Sequence, residues 1–357
     1  MGQKNRQEEI IKLQSELIRQ MTEKNLDRVG EDLWGARDKT ETTPPPGYPE
    51  VPDVFSDKPQ KAPSAEKKEK AKDAQQELPR ENIEDLKKEL NSYIGLDAVK
   101  KEVESLINLV TIYGLRREHG LPTEDLSLHM VFSGNPGTGK TMVARLMSRI
   151  YHALGILSKG HLVEVDRSSL VAGYVGQTAI KTQEVIQKAM GGVLFIDEAY
   201  ALSTRGPQDY GQEAIETLLK AMEDHRDDLI VIVAGYTDLM QDFIHSNPGL
   251  ESRFNRYLYF KDYTVDEMMG IFDMRAKKAG YRLDEGARET LKDILKEESE
   301  HNAGFGNARG VRNLFEQAVT RQANRLALDP DIQRDELILL KKEDLTDEDQ
   351  AQEETDV

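Results

Sequence analysis

Short apolar runs alternate with segments of helical periodicity over residues 81–342. The runs are rich in β-branched residues, whereas the segments between them place apolar residues three and four positions apart. Strands that alternate with helices predict an α/β fold with parallel strands, which binds ligands beyond the carboxyl ends of those strands. The strands are predicted at residues 128–133, 161–165, 193–197 and 229–235.

The strand pattern fades after about Lys261, and helical periodicity dominates the rest of the central region. Helices are predicted there at residues 265–280, 284–299 and 308–328. The sequence therefore predicts a large α/β domain over residues 80–260 and a smaller helical domain over residues 261–342.

The N-terminal end of the chain carries a single apolar stripe. Ile10, Leu13, Leu17 and Met21 recur at spacings of three and four, which predicts an amphipathic helix within residues 1–25. Such a helix either docks on the body of its own chain, frays, or recruits a protein partner or adaptor.

Two further segments have the composition of unfolded chain. Residues 26–79 are predicted to be a disordered linker, since eight of the 13 prolines lie between Pro44 and Pro79 among charged residues. The few apolar residues of this linker bury too little surface to offset the chain entropy lost on folding. Residues 343–357 are rich in acids and contain no base, and they are predicted to form a solvated acidic tail.

Charge and composition narrow the classes of function. The chain has 65 acidic and 48 basic residues and a net charge of -17, which argues against a nucleic-acid partner. It has no cysteine, and its seven histidines lack the paired spacing of a zinc site. No apolar run approaches the ~20 residues that span a bilayer, and the polar start does not match a signal peptide. We expect a cytoplasmic protein without membrane insertion.

The strongest motif follows the first predicted strand and opens a helix. It is the eight-residue run of Gly134, Asn135, Pro136, Gly137, Thr138, Gly139, Lys140 and Thr141, which fits the P-loop pattern. Glycines let backbone N–H groups turn toward phosphate oxygens, and the helix N-terminus favours negative charge. Lys140 is predicted to reach the β- and γ-phosphates, and Thr141 to offer its hydroxyl to Mg²⁺.

A second motif ends the strand at residues 193–197. There an apolar run leads into Asp197 and Glu198. Asp197, at the carboxyl end of a strand beside the P-loop, is predicted to hold the Mg²⁺ shell. Glu198 is predicted to polarise the water that attacks the γ-phosphate, which is typical of a hydrolase rather than of a protein that only binds nucleotide.

These motifs together resemble the AAA+ ATPases and, more narrowly, the CbxX/CfxQ family. The resemblance covers about residues 85–330 and excludes the N-terminal 80 residues. It is carried by residues 134–141, 170–179, 191–200, 210–215, 234–236, 247–249 and 307–309. It implies a P-loop NTPase sheet with helices on both faces, a helical lid domain after it, ATP and Mg²⁺ as cofactors, and a homo-hexameric ring.

The resemblance also implies roles for particular arginines. Arg253 matches the arginine finger that a neighbouring subunit inserts toward the γ-phosphate, with Arg256 as the alternative. Arg309 matches the second sensor, which couples the lid to the nucleotide, with Arg312 as the runner-up.

Other matched positions concern the first sensor, the base and the pore. Tyr236 stands at the first-sensor position, where it either contacts the γ-phosphate or packs. Ile94 and Gly95 match a segment that lines the adenine. Tyr174, Val175 and Gly176 match a pore loop that grips an extended polypeptide, and residues 203–212 offer a second, weaker axial loop.

The function implied by the resemblance is remodelling or threading of an unknown protein client through the central pore. A sporulation-related client is favoured, and Rubisco activation applies if the host has red-type Rubisco. The alternatives are a nucleic-acid motor or loader, which the net charge of -17 disfavours, and an ATP-switched scaffold.

Overall fold

The computed structural model describes residues 80–124, 126–174, 176–203, 210–301, 304–327 and 331–346. The predicted N-terminal helix at residues 1–25 and the predicted linker at residues 26–79 lie outside the described residues. None of the helices within the described ranges is both long enough and apolar enough to cross a membrane.

The larger part of the described chain is built on a sheet of five parallel strands in the order β2-β3-β4-β1-β5. The fold class predicted from the sequence is confirmed. The strands are β1 (Met130–Gly134), β2 (Leu162–Val165), β3 (Val193–Ile196), β4 (Ile230–Gly235) and β5 (Arg256–Phe260).

Strand β5 was not predicted from the sequence. It lies at the edge of the sheet beside β1, where Leu258 and Phe260 are buried while Tyr257 and Tyr259 are exposed. Its alternation of exposed and buried residues differs from the continuous apolar runs of β3 and β4.

Helices cover both faces of this sheet. Residues Met130 and Phe132 of β1 pack into one core, whereas Val131 between them packs into the core on the opposite face. The helices are α1 (Ile83–Ser92), α2 (Asp97–Glu118), α3 (Lys140–Ala153), α4 (Arg167–Leu170), α5 (Gln177–Ala189), α6 (Gly211–Asp224), α7 (Thr237–His245) and α8 (Pro248–Arg253), with a 3₁₀ turn at Ala199–Ser203.

The second part of the described chain is a helical domain with its own core. Phe272, Leu291 and Phe315 are buried in it, and the rings of Phe272 and Phe315 meet edge to face at 5.5 Å. Its elements are α9 (Val265–Ala279), β6 (Arg282–Leu283), α10 (Glu285–His301), α11 (Ala308–Leu326), α12 (Arg334–Ile338), β7 (Leu339–Leu340) and a 3₁₀ turn at Lys342–Asp344.

The predicted boundary of the acidic tail at residue 343 is wrong. Asp344 is 1% exposed and Leu345 is 2% exposed, and both belong to the helical domain. The Arg325 guanidinium binds the Asp344 carboxylate through two bonds of 2.9 Å each. The acid-rich composition signalled solvation, but a basic partner 19 residues earlier pairs with Asp344 in the fold. Residues 347–357 lie outside the described part of the chain.

Candidate active site

The loop between β1 and α3 depends on its glycines. Gly137 and Gly139 have φ angles of 73° and 97°, which side-chain-bearing residues rarely adopt. Gly134 has a φ of 149°, and a Cβ there would collide with the backbone oxygen of Phe260 in the neighbouring strand. The loop therefore folds tightly at the carboxyl end of β1 and delivers Lys140 at the first turn of α3.

The Lys140 side chain is hydrogen-bonded to the backbone of this loop. Its ammonium group donates hydrogen bonds of 2.8 Å to the backbone oxygens of Gly134 and Asn135. An ammonium has three protons, so one remains for an anion in front of the loop. Burial lowers the pKa of Lys140, and the nearby Asp197 carboxylate opposes that shift. A desolvated cation of this kind gains from an anionic ligand.

Asp197 and Glu198 follow β3 directly. The Asp197 N–H donates to the backbone oxygen of Val165 in β2, and the Glu198 N–H donates to Asp197 Oδ1 at 3.0 Å. Glu198 has a φ of 49°, in the left-handed region. A residue other than glycine rarely adopts this conformation, and such strain concentrates at functional sites.

These groups surround one cleft of about 390 Å³ at the carboxyl ends of the strands. Its cations are Lys140, Arg309 and Arg312, and its anions are Asp197 and Glu198. The set suits a polyphosphate bound together with a divalent cation, since lysine and arginine bind phosphate oxygens and carboxylates bind divalent metals. The lining residues are Gly134, Pro136, Gly137, Gly139, Lys140, Thr141, Met142, Asp197, Glu198, Gly235, Tyr236, Ala308, Arg309 and Arg312.

Comparison with known proteins identifies this architecture. The ATPase family associated with various cellular activities (AAA) matches residues 130–262, and the AAA lid domain matches residues 264–355. Stage V sporulation protein K of Bacillus subtilis is 40% identical over 271 residues, which cover 75% of this chain and 84% of that protein. The chain belongs to the AAA ATPases.

Other relatives narrow the group. The chromosomal CbxX protein of Cupriavidus necator is 48% identical over 234 residues, or 65% of this chain and 74% of that protein. The chloroplastic ribulose bisphosphate carboxylase/oxygenase activase of Cyanidioschyzon merolae is 43% identical over 268 residues, or 74% of this chain and 90% of that protein. The predicted resemblance to the CbxX/CfxQ family is confirmed, and this AAA ATPase binds and hydrolyses ATP.

Two residues of the P-loop motif turn away from the cleft of this AAA ATPase. Thr138 is buried, and its hydroxyl donates to the backbone oxygen of Asn135 at 2.8 Å. The Asn135 amide donates to both oxygens of Asp262, at 3.0 and 2.8 Å. Asp262 was not predicted as a site residue because β5, the strand that precedes it, was not predicted either.

The two lid arginines differ in their partners. Arg312 lines the cleft, but its Nε donates to Glu316 Oε1 at 2.7 Å one helical turn away. Arg309 lines the same cleft and is exposed in the first turn of α11. Arg309 is thus the better placed of the two to meet a nucleotide, and its role as the second sensor stays a prediction.

Tyr236 lines the cleft and is 39% exposed. Its ring centroid lies 6.2 Å from that of Tyr200, so Tyr236 both packs and faces the site. Burial raises the pKa of Tyr200, and the nearby Glu198 carboxylate adds to that shift. Tyr200 is therefore a neighbour of Asp197 and Glu198, and the sequence predicted no role for this tyrosine.

Arg253 does not line the cleft of its own subunit. It ends α8, where its Nη2 lies 3.3 Å from Glu223 Oε2 and its Nε is buried without a partner among the described residues. The alternative finger, Arg256, is held in β5 by a bond of 3.3 Å from its Nε to the backbone oxygen of Ser127.

The segment predicted to line the adenine lies beside the lid. A Cβ on Gly95 would clash with Glu267, and Ile94 packs near Gly270 of α9. The next residue, Leu96, reaches within 3.6 Å of a Cβ placed on Gly139 of the P-loop. Ile94 and Gly95 are not among the residues that line the described cleft, and their contact with the base stays a prediction.

Tyr174 stands on the loop between α4 and α5 and is 74% exposed. Gly176 has a φ of 76° and precedes α5. Val175 and residues 204–209 of the weaker axial loop lie outside the described residues.

Proposed function

We propose that this AAA ATPase assembles into a ring, of six subunits, that uses Mg²⁺ and ATP to remodel or thread a protein client. The observation that carries the proposal is Tyr174, a large aromatic side chain that is 74% exposed at a loop tip. Burial normally stabilises a tyrosine ring, so an exposed one flanked by glycine suits contact with another chain.

The residues of the cleft support separate roles in ATP hydrolysis. Lys140 would bind the β- and γ-phosphates, and Arg309 would contact the nucleotide from the lid. Thr141 and Asp197 would hold Mg²⁺, which neutralises charge on the phosphate oxygens when bound. Glu198 would accept the proton of the attacking water, since its carboxylate is exposed to the cleft one residue beyond Asp197.

The position of Arg253 supports catalysis across a subunit interface. A finger that serves its own nucleotide must reach its own cleft, whereas Arg253 does not line that cleft. A guanidinium supplied by the neighbour would stabilise charge that grows on the transferred phosphoryl group.

Mixing experiments test the interface. Arg253→Ala should bind ATP and hydrolyse it poorly, and adding Lys140→Ala subunits should restore part of the activity. In such mixtures some clefts with an intact Lys140 receive an intact Arg253 from the neighbouring subunit. Absence of any recovery at every mixing ratio would contradict a finger that acts in trans.

The threading role is tested with Tyr174→Ala and a matched control, Tyr259→Ala, whose side chain is also exposed, at 52%. The probe is fluorescently labelled casein, an unfolded polypeptide. The parent should show an ATPase rate per subunit that rises with protein concentration together with ring mass by light scattering. Tyr174→Ala should keep the basal rate and lose casein binding in ATP, while Tyr259→Ala keeps both. A flat rate from a monomer would refute the ring.

Two relatives suggest the kind of client. The name of the Bacillus subtilis relative supports a sporulation-related client, and that of the Cyanidioschyzon merolae relative supports Rubisco. We further propose that the predicted helix at residues 1–25 recruits the client or an adaptor. Deletion of residues 1–79 should then leave basal ATPase activity intact and weaken client engagement, and unchanged client processing would argue against recruitment.

A further inference from the structure

The turn that leads into lid helix α11 has an unusual backbone. Asn307 has φ 54° and ψ -129°, close to the first central position of a type II′ turn, where glycine is usual. The Arg309 N–H donates to the Gly306 oxygen at 3.0 Å and closes that turn. A side chain at this position adds strain, so the surrounding contacts must hold it there.

The Asn307 side chain makes those contacts. Its Oδ1 accepts the Tyr263 N–H at 2.9 Å, while its Nδ2 donates to Asp262 Oδ1 at 2.8 Å and to the Pro136 oxygen at 3.3 Å. The Tyr263 N–H only donates, so the amide oxygen must face it and the amide NH₂ must face Asp262. All polar positions of the side chain are thereby assigned.

Asp262 connects this lid residue to the P-loop. Its carboxylate also accepts the two bonds from the Asn135 amide, so one acid is shared by an amide of the P-loop and an amide of the lid. The three residues lie far apart along the chain and meet only in the fold. We name Asn135, Asp262 and Asn307 the amide bracket.

The backbone reinforces the amide bracket. The Ala308 N–H donates to the Gly137 oxygen at 3.2 Å, which joins the first residue of α11 directly to the P-loop. A Cβ on Gly137 would collide with the Gly306 oxygen. The loop and the start of α11 are therefore in direct contact.

We propose that Asn307 is a positioning residue that, through the amide bracket, fixes the first turn of α11 to the P-loop. It thereby sets where Arg309, two residues later, stands over the cleft. The inference rests on the proposed contact of Arg309 with the nucleotide. Its consequence is that the shape of the P-loop and the placement of Arg309 form one unit, so a change at the phosphates reaches the lid through Asn307.

The variant Asn307→Gly separates this role from a structural one. Glycine adopts the turn conformation without strain, so the turn is kept while all three side-chain bonds are lost. The thermal midpoint should stay near that of the parent. We expect kcat for ATP to fall roughly tenfold, since a misplacement of about an ångström costs up to about 100-fold, and ADP affinity to stay within about twofold. A parental kcat in Asn307→Gly would overturn the positioning role.

Arg309→Ala distinguishes failure of this inference from failure of the role proposed for Arg309. We expect Asn307→Gly to add no further loss of kcat in the Arg309→Ala background, because both act on one contact. If Arg309→Ala is impaired and the double variant loses activity additively, the positioning role is overturned and Arg309 keeps its role. If Arg309→Ala hydrolyses ATP at the parental rate, the proposed contact of Arg309 fails, and the inference fails with it.

A charge swap supplies an independent check. Asn307→Asp places a carboxylate against Asp262 and should reproduce the loss of kcat. Adding Asp262→Asn restores the one hydrogen bond between these two side chains, with donor and acceptor exchanged, while the bond to the Pro136 oxygen and one of the bonds from Asn135 stay lost. Partial recovery of kcat in this pair supports the bracket.

Discussion

Replacing Asp344 by alanine should destabilise the lid, although the acidic sequence around it predicts a solvated tail. The carboxylate of Asp344 is buried and accepts three hydrogen bonds. Two come from the Arg325 guanidinium at 2.9 Å each, and the third comes from the Lys341 N–H at 2.8 Å. Asp344→Ala removes all three hydrogen bonds and leaves the guanidinium without its buried partner.

The size of the effect follows from the surroundings of Arg325. Removing one partner of a buried ion pair costs about 3 to 5 kcal/mol. Arg325 keeps access to water, at 22% side-chain exposure, and retains Glu343 at 3.2 Å. We therefore expect the low end, about 3 kcal/mol in the free energy of lid unfolding.

Hydrogen exchange of backbone amides measures this loss within the intact protein. Amides in the middle of α11 should exchange about 100-fold faster in Asp344→Ala, while those of β4 serve as an internal reference. The matched control is Glu343→Ala, whose exposed side chain should contribute no more than about 1 kcal/mol. Equal exchange in the two variants would refute the assignment of Asp344 to the lid core.

Three further outcomes are expected. Burial lowers the pKa of His129 to about 4, so the unfolded chain binds more protons below about pH 6.5. The free energy of unfolding should fall by about 2 kcal/mol from pH 7 to pH 5 in urea titrations, a slope that His129→Gln should flatten. Gly137→Ala should lose fluorescent-nucleotide binding because its Cβ meets Gly306, while Gly173→Ala, with nothing within 4 Å of its Cβ, should not. Glu198→Gln should retain ATP but hydrolyse it at least about 100-fold more slowly in single-turnover assays, and a parental rate would exclude Glu198 as the base.

The sequence alone determined the features that are local in the chain. The P-loop residues around Lys140 are contiguous, and Asp197 and Glu198 directly follow an apolar strand. Their chemistry can therefore be predicted without knowledge of the tertiary structure. Strands β3 and β4 were found because they are buried on both faces and therefore continuously apolar. The same reasoning missed β5, because it alternates exposed and buried residues.

Tertiary structure decided which distant residues meet. Asp262 and Asn307 join Asn135 only because β5 and α11 converge on the P-loop, and no local pattern encodes a contact across 127 positions. Asp344 is buried because Arg325 on α11 pairs with it, and the composition of the segment does not predict that contact. The separation of Arg253 from its own cleft is also a property of the fold. A sequence motif identifies chemistry that is supplied by residues close together in the sequence. Burial and ion pairing instead depend on which distant segments of the chain the fold brings into contact.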